Sequence, residues 1–277
     1  MPALILMYHD VAEALGEIAA GHRPYVLDPK VFRRQMGAIV DTDLLNFTVG
    51  DWCASSRRLR VVVLTFDDGH TSNYDTALPI LLDYRLKATF FITAGWIGTG
   101  STMGWRQIRA LHAAGMEIGS HTLTHRPPST LDDKELRYEL SESRRILEDG
   151  LGAEVTSLSS PTGFFNPRMR RVAQEVGYRS LCIGRVGLAA DGGDPFSLNR
   201  VAIKRSMTEP QFKQLLRLNR MTIGSLRSRQ WTRDSARKII GARGYTCLRS
   251  VLINGLAKVK SARELYRQSL QVRREKI

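Results

Sequence analysis

The sequence is poor in cysteine: only Cys53, Cys182 and Cys247 occur in 277 residues, and none belongs to a C-x-x-C pair. An odd number at such spacings does not indicate a disulfide framework or a structural zinc site, and it favours a reducing compartment. Long apolar runs are also missing. The N-terminal run "ALILM" is too short for a spanning helix or a signal peptide, and no basic segment precedes it. We therefore expect a cytoplasmic protein with no signal peptide and no transmembrane helix.

Acidic residues are scarce in one part of the chain only. Residues 1–200 contain 22 Lys and Arg against 23 Asp and Glu, whereas residues 201–277 contain 19 against 4. The overall composition, 43% hydrophobic and 25% charged, is ordinary for a globular protein. The charge pattern predicts a near-neutral domain over residues 1–205, followed by a basic, mainly helical C-terminal extension over residues 206–277.

The basic extension interleaves Arg and Lys with Leu, Ile, Val and Trp231. One interpretation is a solvated helical face, and the other is a set of basic amphipathic helices that adsorb to an anionic membrane. Nucleic acid would attract the same charge. Because the sequence contains no helix-turn-helix, finger or aromatic RNA-binding signature, nucleic acid is not the expected partner. We expect a protein that is peripheral at the inner membrane if the second interpretation holds.

Before about residue 205, short apolar runs alternate with amphipathic segments. Asn166 with Pro167 is a typical helix start, and Gly115 and Gly177 are typical helix stops. Strands separated by helices indicate parallel βαβ units, so the pattern predicts an α/β fold of the (β/α) barrel type. The strand-like runs are ALILMYH, RVVVLTF, KATFFIT, MEIGSH, VTSLSSP, YRSLCIG and RVAIK. The helix candidates cover residues 29–40, 73–84, 105–114, 132–148 and 167–176.

Two adjacent carboxylates, Asp67 and Asp68, directly follow the apolar run "RVVVLTF". Such a run is typical of a central parallel strand, and the carboxyl ends of these strands carry the chemistry of α/β barrels. Gly69 allows a sharp turn there. Asp-Gly is also ordinary turn chemistry, so the pair by itself leaves both interpretations open.

Two histidines, His121 and His125, follow the strand-like run "MEI" and are four residues apart. On a helical turn this spacing places both imidazoles on one face, where they can share a metal ion with a strand-end Asp. One Asp of the pair can then be a ligand and the other a base. An ion with three protein ligands acidifies a water molecule and polarises a carbonyl, which suits amide or ester hydrolysis. The sequence contains no G-x-S-x-G stretch that would indicate a serine nucleophile.

"TFDDG", followed some fifty residues later by "SHTLTH", resembles the polysaccharide deacetylases with the NodB homology domain, carbohydrate esterase family four. The resemblance covers roughly residues 3–205. It implies a distorted (β/α) barrel of seven or eight strands and metal-dependent deacetylation of N-acetylhexosamine glycans. It also implies that Asp67 is the general base and that Asp68, His121 and His125 are the metal ligands.

The stretch "SLSSPTGFFN" is similar to the third motif of the family. In this motif a Pro-x-Gly turn lines the substrate groove, and a backbone N–H helps to hold the oxyanion. The resemblance therefore implies that Pro161, Thr162 and Gly163 bind substrate. The sequence departs from this motif at two positions. Ser159 replaces an Arg that braces the catalytic Asp in many members, and Thr162 replaces the usual aromatic residue.

The late Leu-x-His motif, which supplies the general acid in many members, is missing, since no histidine follows His125. A circularly permuted form of the family opens with a "YHDV"-like strand, and this chain opens with "LMYHDV". That similarity implies that His9 is the acid, and the alternative is a buried, hydrogen-bonded histidine. Trp105 matches a tryptophan common in the family. It is expected either to line the sugar site or to pack on a helix face.

The expected function is removal of an acetyl group from an N-acetylhexosamine of a glycan, an oligosaccharide or a lipid-linked sugar, as in exopolysaccharide biosynthesis. This is hydrolysis of a C–N bond other than a peptide bond. The expected cofactor is one divalent ion, with zinc first and nickel, cobalt or manganese open. Two alternatives stay open: a related metal-dependent amidase on a small amide, and a catalytically inactive glycan-binding barrel.

Overall fold

The computed structural model describes residues 2–13, 21–55, 59–232 and 235. The chain forms two compact units, Met1–Gly224 and Ser225–Ile277. The predicted basic extension therefore begins inside the first unit, and most of it lies outside the described residues. A search of the described residues finds no helix that is both long and apolar enough to cross a membrane.

Parallel strands form one sheet that curls into a half-barrel surrounded by helices, which confirms the predicted α/β barrel. The order along the sheet is β10-β1-β5-β6-β7-β8-β9, with β4 also paired to β5, and β2 pairs with β3 separately. The strands are β1 (Ala3–Tyr8), β2 (Asp10–Val11), β3 (Val26–Leu27), β4 (Leu45–Phe47), β5 (Val61–Phe66), β6 (Thr89–Ile92), β7 (Glu117–Ser120), β8 (Ser157–Ser159), β9 (Ser180–Cys182) and β10 (Val201–Ala202).

The structure confirms the predicted helix start at Asn166, and α1 begins at a cap that the sequence analysis did not name. Asp28 accepts hydrogen bonds from backbone N–H groups at the start of α1, and Asn166 does so at the start of α6. The segment predicted as a helix from residue 73 begins with a π-helical turn, Asn73–Ala77. The pattern does not predict α2 or β4. The helices are α1 (Pro29–Val40), α2 (Val49–Ala54), α3 (Leu78–Asp83), α4 (Trp105–Ala113), α5 (Asp133–Leu151), α6 (Pro167–Val176) and α7 (Glu209–Leu216), and residues 220–232 are also helical.

The core aligns the ends of the central strands. All six residues of β5 are buried, and Tyr8, Phe66 and Phe90 stack across β1, β5 and β6 with ring centroids 5.3 and 4.7 Å apart. On the next strand, a Cβ on Gly119 would lie 2.6 Å from the ring of Phe91, so only glycine allows this close approach. Because the strands are parallel and in register, their carboxyl ends meet at one edge of the sheet.

Helix α7 belongs to this core although it lies beyond residue 205. Its apolar side chains Phe212, Leu215 and Leu216 are buried, and the helix contacts α1. Removing residues from 206 onward would therefore uncover apolar surface of the first unit.

Candidate active site

Asp67 and Asp68 leave β5 at the carboxyl edge of the sheet, and both are buried. The N–H of Asp67 still donates to the carbonyl of Tyr8 at 3.0 Å, which continues the strand ladder by one residue. Asp68 then adopts a left-handed backbone conformation with φ 76°, and Gly69 continues it with φ 85°. This turn separates the two carboxylates, so that each can have its own set of partners.

His121 and His125 lie in an irregular loop after β7, and the predicted helical turn is wrong. Thr122 and His125 have φ values of 66° and 60°, which a right-handed turn excludes. Buried Glu139 of α5 holds the loop by accepting hydrogen bonds from the N–H groups of Leu123 and Thr124 at 3.0 and 2.9 Å. The two imidazoles nevertheless meet, with ring centroids 4.9 Å apart.

Backbone strain is concentrated at this edge of the sheet. Six non-glycine residues in the described part of the chain have positive φ, and four of them are Asp68, Thr122, His125 and Thr162. Such conformations cost about 1–3 kcal/mol each and persist only where the surroundings enforce them. Strain gathered in three separate loops at one place is typical of a functional site.

Asp68, His121 and His125 fit a metal ion. Oδ1 of Asp68 lies 3.4 Å from Nε2 of His121 and 3.4 Å from Nε2 of His125. These separations exceed ordinary hydrogen-bond lengths, and the buried Oδ1 has no hydrogen-bond partner among the described residues. Metal–ligand bonds of about 2.1 Å in a tetrahedron place neighbouring donor atoms about 3.4 Å apart. The three residues therefore have the donor types and the spacing of a His2Asp metal site.

The orientation of His121 is fixed from its other side. Its Nδ1 lies 2.8 Å from the carbonyl oxygen of Ser159. Since a carbonyl only accepts hydrogen bonds, Nδ1 carries the proton and Nε2 is left with its lone pair directed toward Asp68. This is the usual second partner of a metal-ligating histidine.

Asp67 is bound by Arg200, a residue that the sequence analysis missed. Arg200 is almost completely buried, and its Nη1 and Nη2 donate to Oδ1 and Oδ2 of Asp67 at 2.8 and 2.9 Å. Ser159 donates to Oδ2 of Asp67 at 3.2 Å and accepts from Nη2 of Arg200 at 2.9 Å. The guanidinium expected at position 159 is therefore supplied from the residue that precedes β10. The sequence feature that could have indicated Arg200 was its position directly before a short apolar strand.

The charges at this edge favour a cation. Burial by itself would raise the pKa of Asp67 and of Asp68, but Arg200 and His121 at Asp67, and His121 and His70 at Asp68, outweigh it and hold both pKa values low. Burial lowers the pKa of His121, yet Asp67 and Asp68 together more than offset this and raise it. The negative charge that raises the pKa of His121 would also favour a divalent cation at its Nε2.

The predicted substrate-binding turn lies beside the same strands. Residues Pro161–Gly163 form a short 3-10 turn after β8, with Thr162 at φ 59°. Gly163 packs on Gly184 so closely that a Cβ on it would lie 2.3 Å from the Cα of Gly184. No described residue accepts a hydrogen bond from the backbone N–H of Thr162, although its neighbours Gly163 and Phe164 both donate within the turn.

His9 directly follows β1 at the same edge. Its carbonyl accepts a hydrogen bond from Nδ2 of Asn73 at 2.7 Å, and its ring lies 4.7 Å from that of Tyr25. The buried Nδ1 has no hydrogen-bond partner among the described residues. Burial lowers the pKa of His9 to about 4 against the opposing effect of Asp68 and Asp67, so the imidazole is neutral near pH 7.

The two tryptophans near the site differ in position. The ring of Trp105, at the start of α4, packs on Gly150, where a Cβ would lie 2.0 Å away, and the guanidinium of Arg109 lies 5.5 Å from its centroid. These contacts are those of a helix-packing residue. Trp96, which the sequence analysis did not single out, has its ring 5.1 Å from that of His125. Trp96 lies four residues after the end of β6. An aromatic residue just after a strand end was therefore the sequence feature that could have indicated it.

The sequence matches the family model of the polysaccharide deacetylases over residues 54–181. It is 29% identical over 153 residues to YxkH of Bacillus subtilis, which is 55% of each chain. It is 28% identical over 123 residues to the peptidoglycan-N-acetylglucosamine deacetylase of Bacillus cereus, which is 44% of this chain and 55% of that protein. The chain thus spans about half the length of these relatives. The region that the family model matches contains Asp67, Asp68, His121 and His125, and excludes His9 and Arg200.

The fold is similar to that of two solved proteins. The Streptococcus pyogenes deacetylase PplD, in complex with acetate, superposes with a TM-score of 0.71 at 24% identity, covering 78% of this chain and 97% of that one. IcaB of Ammonifex degensii superposes with a TM-score of 0.68 at 22% identity, covering 78% and 96%. At these identities the likeness establishes the fold alone.

Proposed function

We infer that this chain, whose residues 54–181 match the polysaccharide deacetylase family model, is a metal-dependent hydrolase that removes acetyl from an N-acetylhexosamine. The substrate would be a glycan, an oligosaccharide or a lipid-linked sugar. One observation carries the proposal: a single strand end presents an ionised Asp67 braced by Arg200 and, next to it, a His2Asp donor set with metal spacing. The Bacillus cereus relative, named as a peptidoglycan-N-acetylglucosamine deacetylase, supports the choice of substrate class.

Asp68, His121 and His125 would hold the ion. Zinc suits them, because two imidazoles and one carboxylate are donors that zinc accepts, and three protein ligands leave a position open. When bound, such an ion supplies Lewis acidity, which polarises the acetyl carbonyl and lowers the pKa of water.

Asp67 would take the proton of the attacking water. An ionised carboxylate accepts about four hydrogen bonds, and Arg200 with Ser159 occupies three of these positions. One acceptor position therefore remains on a carboxylate whose partners keep it ionised. The same partners fix its orientation.

Two further groups would complete the reaction. The backbone N–H of Thr162 has no hydrogen-bond acceptor among the described residues. It would donate a hydrogen bond to the developing oxyanion. His9 would protonate the departing amine through its ring. Since burial lowers its pKa to about 4, its protonated form is scarce near pH 7 but gives up a proton readily.

Trp96 would provide the surface on which the sugar ring packs, in place of the predicted Trp105. Its indole is partly exposed and lies against the ring of the metal-site residue His125. A sugar placed there would have its acetyl group close to the donor set, whereas the ring of Trp105 contacts Gly150 and Arg109.

The proposal is tested by measuring acetate release from N-acetylhexosamine oligosaccharides and from small amides. We expect release from the sugars, loss of release after chelation, and recovery when zinc, cobalt, nickel or manganese is returned. Turnover of small amides alone would favour the amidase alternative. Full metal content with no turnover on either panel would mean that the barrel only binds glycans.

We also propose that the basic second unit, Ser225–Ile277, adsorbs to anionic membrane, where a lipid-linked substrate would be presented. Binding of the full chain to anionic vesicles should weaken from 0.1 to 1 M salt, as the Debye length falls from about 10 to 3 Å. The truncation should end at Gly224, because α7 contributes buried residues to the first unit. We expect the truncated protein to keep deacetylating a short substrate and to lose vesicle binding. Equal vesicle binding by both proteins would contradict this role.

A further inference from the structure

A second group of potential metal ligands lies next to the first. Asp10 on β2, His22 in the loop before β3, and His70 after the Asp67–Asp68 pair each offer a donor atom, and these atoms all lie within 4.8 Å of one another. The three residues come from separate segments of the chain. The fold therefore assembles this group as it assembles Asp68, His121 and His125, and no short sequence motif contains it.

One nitrogen of each imidazole in this group lacks a hydrogen-bond partner in the described structure, and that of His70 also lies 3.5 Å from Oδ2 of Asp68. Nε2 of His22 and Nε2 of His70 are both buried without a hydrogen-bond partner among the described residues, and the two rings are 4.8 Å apart. Leaving a buried polar atom unpaired costs free energy, because the atom loses its hydrogen bonds to water and gains none in the protein. Two such nitrogens beside one carboxylate indicate a shared partner, and a cation satisfies all three donors at once.

The carboxylate of Asp10 is fixed in place for such a role. Oγ of Ser72 donates a hydrogen bond to Oδ1 of Asp10 and accepts one from the N–H of Val11 at 3.2 Å. Because the serine hydroxyl has a single proton, this chain of bonds sets its direction: the proton points at Asp10. A carboxylate held by an outer hydrogen bond is the ordinary second layer of a metal site.

The two groups meet at Asp68. Oδ1 of Asp68 faces His121 and His125 at 3.4 Å, whereas Oδ2 lies 3.5 Å from Nε2 of His70. The two oxygens of the Asp68 carboxylate thus face different histidines: Oδ1 faces His121 and His125, and Oδ2 faces His70. Asp10 also adds the negative charge of a carboxylate beside His70, which itself lies beside Asp68.

We propose that Asp10, His22 and His70 bind a second divalent transition-metal ion, linked to the first site through the carboxylate of Asp68. Mixed imidazole and carboxylate donors suit zinc, cobalt, nickel or manganese. The second ion would fix Asp68 and add positive charge beside the reacting groups, as in other paired-metal hydrolases. The proposal concerns ion binding, and it can fail or hold independently of the substrate.

The test is a metal count on the full-length protein. The protein is stripped with chelator, dialysed against zinc, washed, and measured by elemental analysis. We expect two ions per chain in the wild type and one in the double variant His22→Gln/His70→Gln. His121→Gln should lose the other ion. His112→Gln, at an exposed position of α4, is the matched control and should keep both.

A titration of the stripped protein with cobalt, followed by visible absorption, provides a second readout. The wild type should take up two equivalents, and the double variant and Asp10→Asn should each take up one. One ion per chain in the wild type, or two in the folded double variant, would overturn the proposal. In the first case His70 and its neighbours would only orient Asp68 by hydrogen bonding. Thermal unfolding of each variant establishes whether it is folded. If the double variant does not fold, the number of cobalt equivalents bound by the single variant Asp10→Asn decides between one and two sites.

Discussion

Replacing Asp67 by asparagine is expected to lower kcat by about 10²–10⁴-fold while the metal content at Asp68, His121 and His125 stays unchanged. The amide cannot accept the proton of the attacking water, and Asp67 contributes no oxygen to the donor set with 3.4 Å spacing. Acetate release and elemental analysis on the same preparation measure both effects.

Asp68→Asn is the matched variant, because it makes the same chemical change at the neighbouring residue. It should lose most of the metal bound with His121 and His125, and the activity with it. Metal loss in Asp67→Asn together with metal retention in Asp68→Asn would mean that the two roles are reversed. Since Asp67→Asn also leaves Arg200 buried without its counter-charge, both variants should be assayed well below their unfolding temperatures.

Replacing Arg200 by methionine is expected to be the most damaging single change to both stability and activity. The guanidinium and Asp67 form a buried, bidentate pair. Removing one partner of such a pair typically costs about 3–5 kcal/mol in the free energy of unfolding. Burial by itself raises the pKa of Asp67, and the charge of Arg200 is the largest effect that opposes it. Without that charge the pKa of Asp67 would rise and its carboxylate would no longer be oriented. Denaturant unfolding and kcat measure the two losses.

Three further variants separate bracing from a general loss of stability. Arg33→Met removes an arginine from an exposed ion pair with Asp83 and should change little. Arg200→Lys keeps the charge but cannot form the bidentate pair, and should recover stability better than kcat. Ser159→Arg combined with Arg200→Ser moves the guanidinium to the place that the family resemblance implies, and should recover part of kcat. Full activity in Arg200→Met would contradict any role of this residue in supporting the base.

The sequence by itself determined most of the elements and indicated Asp67, Asp68, His121 and His125 as the candidate site residues. The capping residue Asn166 predicted the start of α6, because a cap acts within three residues of the chain. The apolar run that ends at Asp67 and Asp68 predicted a buried strand with polar residues at its carboxyl end, and β5 has that form. The histidine spacing predicted that His121 and His125 would meet. That prediction assumed a helical turn, whereas a strained loop brings the two imidazoles together.

Tertiary structure alone decided which distant residues complete the site. Arg200 reaches Asp67 across 133 positions of the sequence, the ring of Trp96 lies beside that of His125, and Asp10, His22 and His70 each offer a donor atom close to the others. The reason is geometric: capping and hydrophobic periodicity act over a few residues, whereas these contacts depend on which strands become neighbours in the sheet. Strand β1 pairs with β10 on one side and β5 on the other. This order brings residues that are far apart in the sequence to one edge of the sheet, around Asp67 and Asp68.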